Sequence, residues 1–172
     1  MICYHYKKNI GWQMHTNKKQ EILQQLAEAR LSHAKWLRRA KHLIEGLPVK
    51  DGMIPIDPTD CAFGQWFYKD AVRYKNVLSF AKHIEKIGSL HVALHDVYLH
   101  IYKIYFVDAR RSRFMSTILA SQYKSPSKSQ QELTQHYFIE LQKISNELNK
   151  ELETLEKLVF SLDKQYFELM AS

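Results

Sequence analysis

Apolar residues recur along three stretches of this chain at steps of three and four, the period of one face of an α-helix. In the first stretch the inward positions are Ile22, Leu26, Ala29, His33, Leu37, Ala40 and Ile44. Thr16 or Asn17 can cap its start, and Gly46, Leu47 and Pro48 end it. The second runs Tyr74, Val77, Ala81, Ile84, Gly88, His91, His95, Tyr98, Ile101 or Tyr102, and Tyr105. It predicts a long helical stretch from about Ala71 to Gln122, with a break near Asp108–Ser112. The third runs Leu133, Tyr137, Leu141, Ile144, Leu148, Leu152, Leu155, Val159, Leu162, Tyr166 and Leu169. Its steps suit packing in a bundle or coiled coil and predict a helix from about Gln130 to Met170.

Residues 47–60 hold three prolines and a glycine and predict a non-helical connector. Asp57-Pro58 reads as an N-cap followed by proline at the first helical position, opening a short helix from Thr59 to about Tyr68. Cys61 then falls in the first turn, where N–H groups and the helix dipole favour a thiolate. The expected fold is all-α: an antiparallel four-helix-bundle-like domain, a short extra helix carrying Cys61, and a long C-terminal helix. Residues 1–15, without clean periodicity, are expected to be a flexible N-terminal segment. Residues 16–122 form the bundle, 123–129 a turn marked by serines and Pro126, and 130–172 the last helix, packed on the bundle.

Composition narrows the function classes. With 172 residues the chain suits one domain with a core of its own. No stretch is apolar enough to insert in a membrane, and the first residues lack the apolar run of a signal peptide, so a cytoplasmic location is expected. Cys3 and Cys61 are too far apart in a cytosolic chain to suggest a structural disulfide, and Cys3 reads as an incidental thiol. The net charge is +7, with basic clusters at Lys35, Arg38, Arg39, Lys41 and at Arg110, Arg111, Arg113. No nucleic-acid motif accompanies them, and they read as solvated helix faces, so no nucleic-acid partner is expected.

The candidate chemistry is the interruption of the apolar stripes. His91 and His95 lie one turn apart on one helix face, and His33 occupies an inward position of another helix. Cys61 sits where the connector re-enters the bundle. A lone inward histidine is more often a hydrogen-bonded core residue, and a lone cysteine is more often inert packing. Together, His33, Cys61, His91 and His95 make a complete tetrahedral set for Zn2+. His83 and His100 lie off the pattern and are the substitutes should one ligand be misassigned; His42 is expected to play no part.

The local sequence around these four residues is distinctive. His33-Ala-Lys-Trp36-Leu37, Cys61-Ala-Phe63-Gly64-Gln-Trp66-Phe-Tyr68 and His91-Val-Ala-Leu-His95 together resemble the chemoreceptor zinc-binding domain family, over roughly residues 16 to 108. Where that family often has a larger apolar residue after the cysteine, this chain has Ala62, and Phe63 is expected to fill the space. Gly64 is expected to let the short helix approach a neighbour closely, and Trp36 and Trp66 to wall the metal from water. The resemblance implies bound zinc and regulatory work in chemotaxis or cyclic-di-GMP-type signalling, with a zinc thiolate that responds to oxidants or zinc level.

No methyl-accepting or nucleotide-cyclase segment is present, so the resemblance is to a stand-alone form that acts by binding a signalling protein or buffers zinc. A homodimer is compatible with these features. A zinc with four protein ligands has no open position, so no enzyme activity is expected. The alternative is a structural zinc that staples a protein-interaction module. A haemerythrin-like di-iron enzyme is disfavoured, because no Glu-x-x-His is present and Glu85 falls beside the histidine stripe.

Overall fold

The computed structural model describes residues 3–50, 52–76, 79–108 and 126–162, with side chains of the first helix from Lys19 onward. Helix α1 spans Cys3–Ile44, α2 spans Ala62–Lys69, a 3₁₀ turn covers Ala71–Asn76, α3 spans Ala81–Tyr102, and α4 spans Lys128–Ser161. The architecture is all-α and bundle-like, as the periodicity predicts. The basic cluster at Arg110, Arg111 and Arg113, and the predicted helix end with Tyr166 and Leu169, lie outside the described residues.

Helix α1 begins well before Thr16 and Asn17. A capping residue starts a helix only if the chain before it leaves helical geometry, and no proline forces that here. Its end follows expectation. Gly46 adopts φ +75°, Leu47 N–H donates to the His42 carbonyl at 2.9 Å and Gly46 N–H to that of Leu43 at 3.2 Å. This is a Schellman stop, which needs a residue free to take positive φ.

The second stretch is less continuous than its periodicity suggests. The 3₁₀ turn precedes α3, and at Lys103 the helix widens into a π-helical segment to Asp108. The predicted opening of α2 also shifts. Asp57 accepts from the backbone N–H and hydroxyl of Thr59, forming a local turn, and Cys61 itself is the N-cap, its Sγ accepting from Gly64 N–H at 3.2 Å. Short polar side chains favour such local bonds over extending a helix backwards.

Two of the long helices share a direction and the third opposes them. Lys19 of α1 reaches the Phe160 carbonyl of α4, and Arg30 reaches Glu153 and Glu156. On α3, His83 meets Glu151 of α4 and His100 meets Tyr137. Thus α1 and α3 both run antiparallel to α4. The seam of α4 is Thr134, Phe138, Leu141, Ser145, Leu148, Leu152, Leu155 and Val159, a strict alternation of four and three. Leu133 is exposed instead, and Tyr137 and Ile144 are only half-buried. Thr134 can occupy the seam because its hydroxyl donates back to the carbonyls of Gln130 and Gln131.

On α1, Trp36 and Leu43 take the buried positions that the pattern assigns to Leu37 and Ile44, which are half-buried. Lys35, Arg38, Arg39 and Lys41 line the exposed side of α1, as a solvated face. No helix among the described residues is long and apolar enough to cross a membrane.

Candidate metal centre

Three elements converge on one buried point. Helix α3 delivers His91 and His95, helix α1 delivers His33, and the N-cap of α2 delivers Cys61. The three rings are 4% exposed or less. Cys61, His91 and His95 each offer a ligand atom, and these atoms lie within 4.8 Å of one another. The Cys61 Sγ is 3.2 Å from His91 Nε2. His33 stands outside that triad but in ring contact with it, its centroid 5.6 Å from that of His91.

The glycine of α2 explains how a thiol from one helix reaches an imidazole of another. A Cβ added at Gly64 would overlap the carbonyl of Pro58 and come within 3.2 Å of His91 Cε1. Only glycine allows α2 to lie this close to the connector and to α3. The neighbour expected for Gly64 is therefore both Pro58 and His91. Phe63 is buried edge-on between His33 and His91, with centroids 5.1 and 4.8 Å away. Ala62 is exposed, so no space is left there for Phe63 to fill; Phe63 packs against the rings of His33 and His91 instead.

Partners on the far side of two rings fix which nitrogen faces the site. His95 Nδ1–H donates to the Ile56 carbonyl at 2.9 Å, which leaves Nε2 with its lone pair. His91 Nδ1 lies 3.3 Å from the Tyr68 hydroxyl while its Nε2 faces Cys61. Partners of this kind orient metal-binding imidazoles. The sequence reading gives neither Ile56 nor Tyr68 a part in the site. A backbone carbonyl has no sequence signature, whereas the spacing Cys61, Gly64, Tyr68 at three and four marks one face of a helix and is a usable signal.

His33 has neither kind of partner. Both its ring nitrogens are buried without a hydrogen bond. A buried polar group left unpaired costs on the order of 1–3 kcal/mol, so such nitrogens point to a ligand. A metal ion beside the triad would take one of them. Burial, then the nearby His95, lowers the His33 pKa to about 4, and burial, then His95 and His33, lowers that of His91 to about 3. Burial also lowers His95, partly opposed by the Ile56 carbonyl and Asp57. All three rings are therefore neutral near pH 7, the form that binds metal. Burial pushes the Cys61 thiol up, with the Gly64 N–H opposing it. A divalent cation at this point reverses that balance and holds the thiolate.

The remaining expectations divide. Trp36 is buried on His95, centroids 5.4 Å apart, so it does wall the site. Trp66 is half-buried and packs at a tilt on Phe63, centroids 5.9 Å apart. His83 pairs with Glu151 at 2.8 Å and His100 stacks on Tyr137 at 4.8 Å, so neither joins the site.

Residues 33–102 match the family model of the chemoreceptor zinc-binding domain. No curated protein and no solved structure matched the chain. The matched segment opens on His33 and runs through Cys61, His91 and His95 to the end of α3, and zinc is the ion for which such a Cys/His group is suited. Residues 33–102 of this chain belong to the chemoreceptor zinc-binding domain family.

Proposed function

We propose that the protein is a zinc-binding regulatory sensor in which His33, Cys61, His91 and His95 hold one zinc ion and Cys61 is the responsive ligand. The observation that carries the ligand set is His33, whose two ring nitrogens are buried and unpaired and whose ring centroid lies 5.6 Å from that of His91 in the Cys61–His91–His95 triad. Four protein ligands close the coordination sphere and leave no position for a hydrolytic water. The thiolate remains open to oxidation. Hypochlorous acid transfers its oxygen to the thiolate, giving the sulfenic acid and chloride, and the bond to zinc weakens.

Cys61 is also the N-cap of α2, so its oxidation acts on the helix as well as on the ion. Release of α2 would expose a new face to a signalling protein in the cytoplasm, in chemotaxis or cyclic-di-GMP-type signalling. A structural staple is the second reading. It is favoured by Phe63 and Phe67, which are 4% and 2% exposed and anchor α2 without the ion.

One set of samples tests both. Zinc content is expected to fall sharply in His33→Ala, Cys61→Ala, His91→Ala and His95→Ala proteins and to stay at one per chain in His42→Ala. Full zinc in Cys61→Ala would remove that ligand from the set. Hydrogen exchange over residues 57–70, read before and after mild hypochlorous acid, is expected to quicken as zinc leaves. Zinc loss with unchanged exchange would leave the staple.

A further inference from the structure

His91 is completely buried, and its two nitrogens face different groups. Nε2 meets the Cys61 sulfur at 3.2 Å, and Nδ1 meets the Tyr68 hydroxyl at 3.3 Å. A neutral imidazole carries one proton, so the partner on one side settles what the other nitrogen can do. For His95 the matter is closed by the Ile56 carbonyl, which can only accept. For His91 the partner is a phenol, which can accept or donate. Tyr68 ends the face of α2 that begins with Cys61 and Gly64, and the close approach at Gly64 brings that whole face onto His91. Unlike the histidine rings, Tyr68 is 37% exposed.

We infer that Tyr68 is a positioning residue for the zinc site: its hydroxyl accepts the Nδ1 proton of His91 and thereby commits Nε2 to the metal. The inference rests on the ligand reading given above. Without the hydroxyl, a proton on Nδ1 would be buried and unpaired, whereas a proton on Nε2 would still find the Cys61 sulfur. The tautomer that excludes zinc would gain population, and zinc would first have to displace that proton. In the wild-type protein the thiol proton can lie between Sγ and Nε2, and zinc needs to replace only that one. The same hydroxyl that orients the ring thus sets the cost of loading the site.

Nitrogen-15 NMR of the zinc-free full chain reads the tautomer directly, and competition with a chromophoric chelator reads the affinity. Wild-type His91 is expected to carry its proton on Nδ1. Tyr68→Phe is expected to shift it toward Nε2 and to weaken zinc binding by about 10-fold or more, the range typical of groups that hold a metal-binding imidazole from behind. Val72→Ala, an exposed change close to Tyr68 in the chain, should alter neither. A wild-type His91 protonated on Nε2, or a Tyr68→Phe protein with unchanged tautomer or unchanged affinity, would overturn the assignment. If the wild-type chain took up no zinc at all, the ligand reading would fall, while the zinc-free NMR would still report on Tyr68 and His91.

Discussion

At Leu141, Leu148 and Leu152 the inward face of α4 is fully covered and made of carbon. At His33, His91 and His95 the inward faces of α1 and α3 are almost as well covered and end in nitrogen. Both regions follow the same helical period and sit inside one bundle. They differ in whether folding alone satisfies them. The seam is complete once its side chains interdigitate, because apolar groups need only contact. The histidine layer closes with one ring tied to a backbone carbonyl, one to a phenol and one to nothing. Coverage by itself therefore does not separate a core from a site; the unpaired nitrogens of His33 do, because an imidazole can offer a lone pair to an ion where the equally unpaired indole N–H of Trp36 cannot.

The largest effect should come from the seam. Leu148→Ala removes a fully buried side chain and is expected to cost about 2–5 kcal/mol, the usual range for such cavities. Chemical denaturation with and without zinc measures it. The loss should be alike in both conditions, and a loss confined to the zinc-free protein would show that the two regions are not separable.

Gly64→Ala probes the layer. The added methyl overlaps the Pro58 carbonyl and crowds His91, so α2 must move away. Overpacking of this kind costs about 1–3 kcal/mol. Zinc affinity should fall with it, because Cys61 moves with α2. Retained affinity alongside lowered stability would mean that the connector yields and the ligands do not.

Acid should separate the regions most gently. The zinc-free histidines are held below their ordinary pKa of 6.5, with His33 near 4 and His91 near 3. Below pH 6.5 the unfolded chain therefore binds more protons than the native one. Stability is full above that pH and is lost as pH falls toward the native values. Each such histidine contributes a slope of up to about 1.4 kcal/mol per pH unit. Denaturant midpoints between about pH 7 and pH 4 check this, and a His33→Leu protein should lose part of the slope. The leucine seam carries no titrating group, so a slope unchanged by that substitution would place the acid sensitivity elsewhere.

Much of this was legible in the chain itself. The steps of three and four in Ile22, Leu26, Ala29 and in Leu148, Leu152, Leu155 mark helices and their inward faces, because helical geometry repeats whatever the tertiary partners. Gly46 and the serines just before Gln130, of which Ser127 is the N-cap of α4, mark a helix end and a helix start through local backbone chemistry. The four site residues stand out as polar groups or thiol in apolar surroundings, with His91 and His95 one turn apart. Where the seam uses Thr134 and Ser145, the apolar pattern slips to Leu133 and Ile144, since a polar residue on the inward face, such as Thr134 with its hydroxyl bonded back to its own helix, is invisible to a count of apolar residues.

Tertiary structure decided what depends on distant groups meeting. It made Cys61 an N-cap, because Asp57 was already engaged by Thr59. It chose Trp36 over Leu37 to cover His95, since burial follows the direction of the neighbouring helices and not the stripe alone. It set Gly64 against Pro58 and His91, gave His95 to a carbonyl and His91 to Tyr68, and left His33 with no partner. A sequence can place four candidate ligands, three histidines and one cysteine, in the right elements. Which nitrogen of each ring is free depends on atoms brought from more than one element, and only the packed fold brings them.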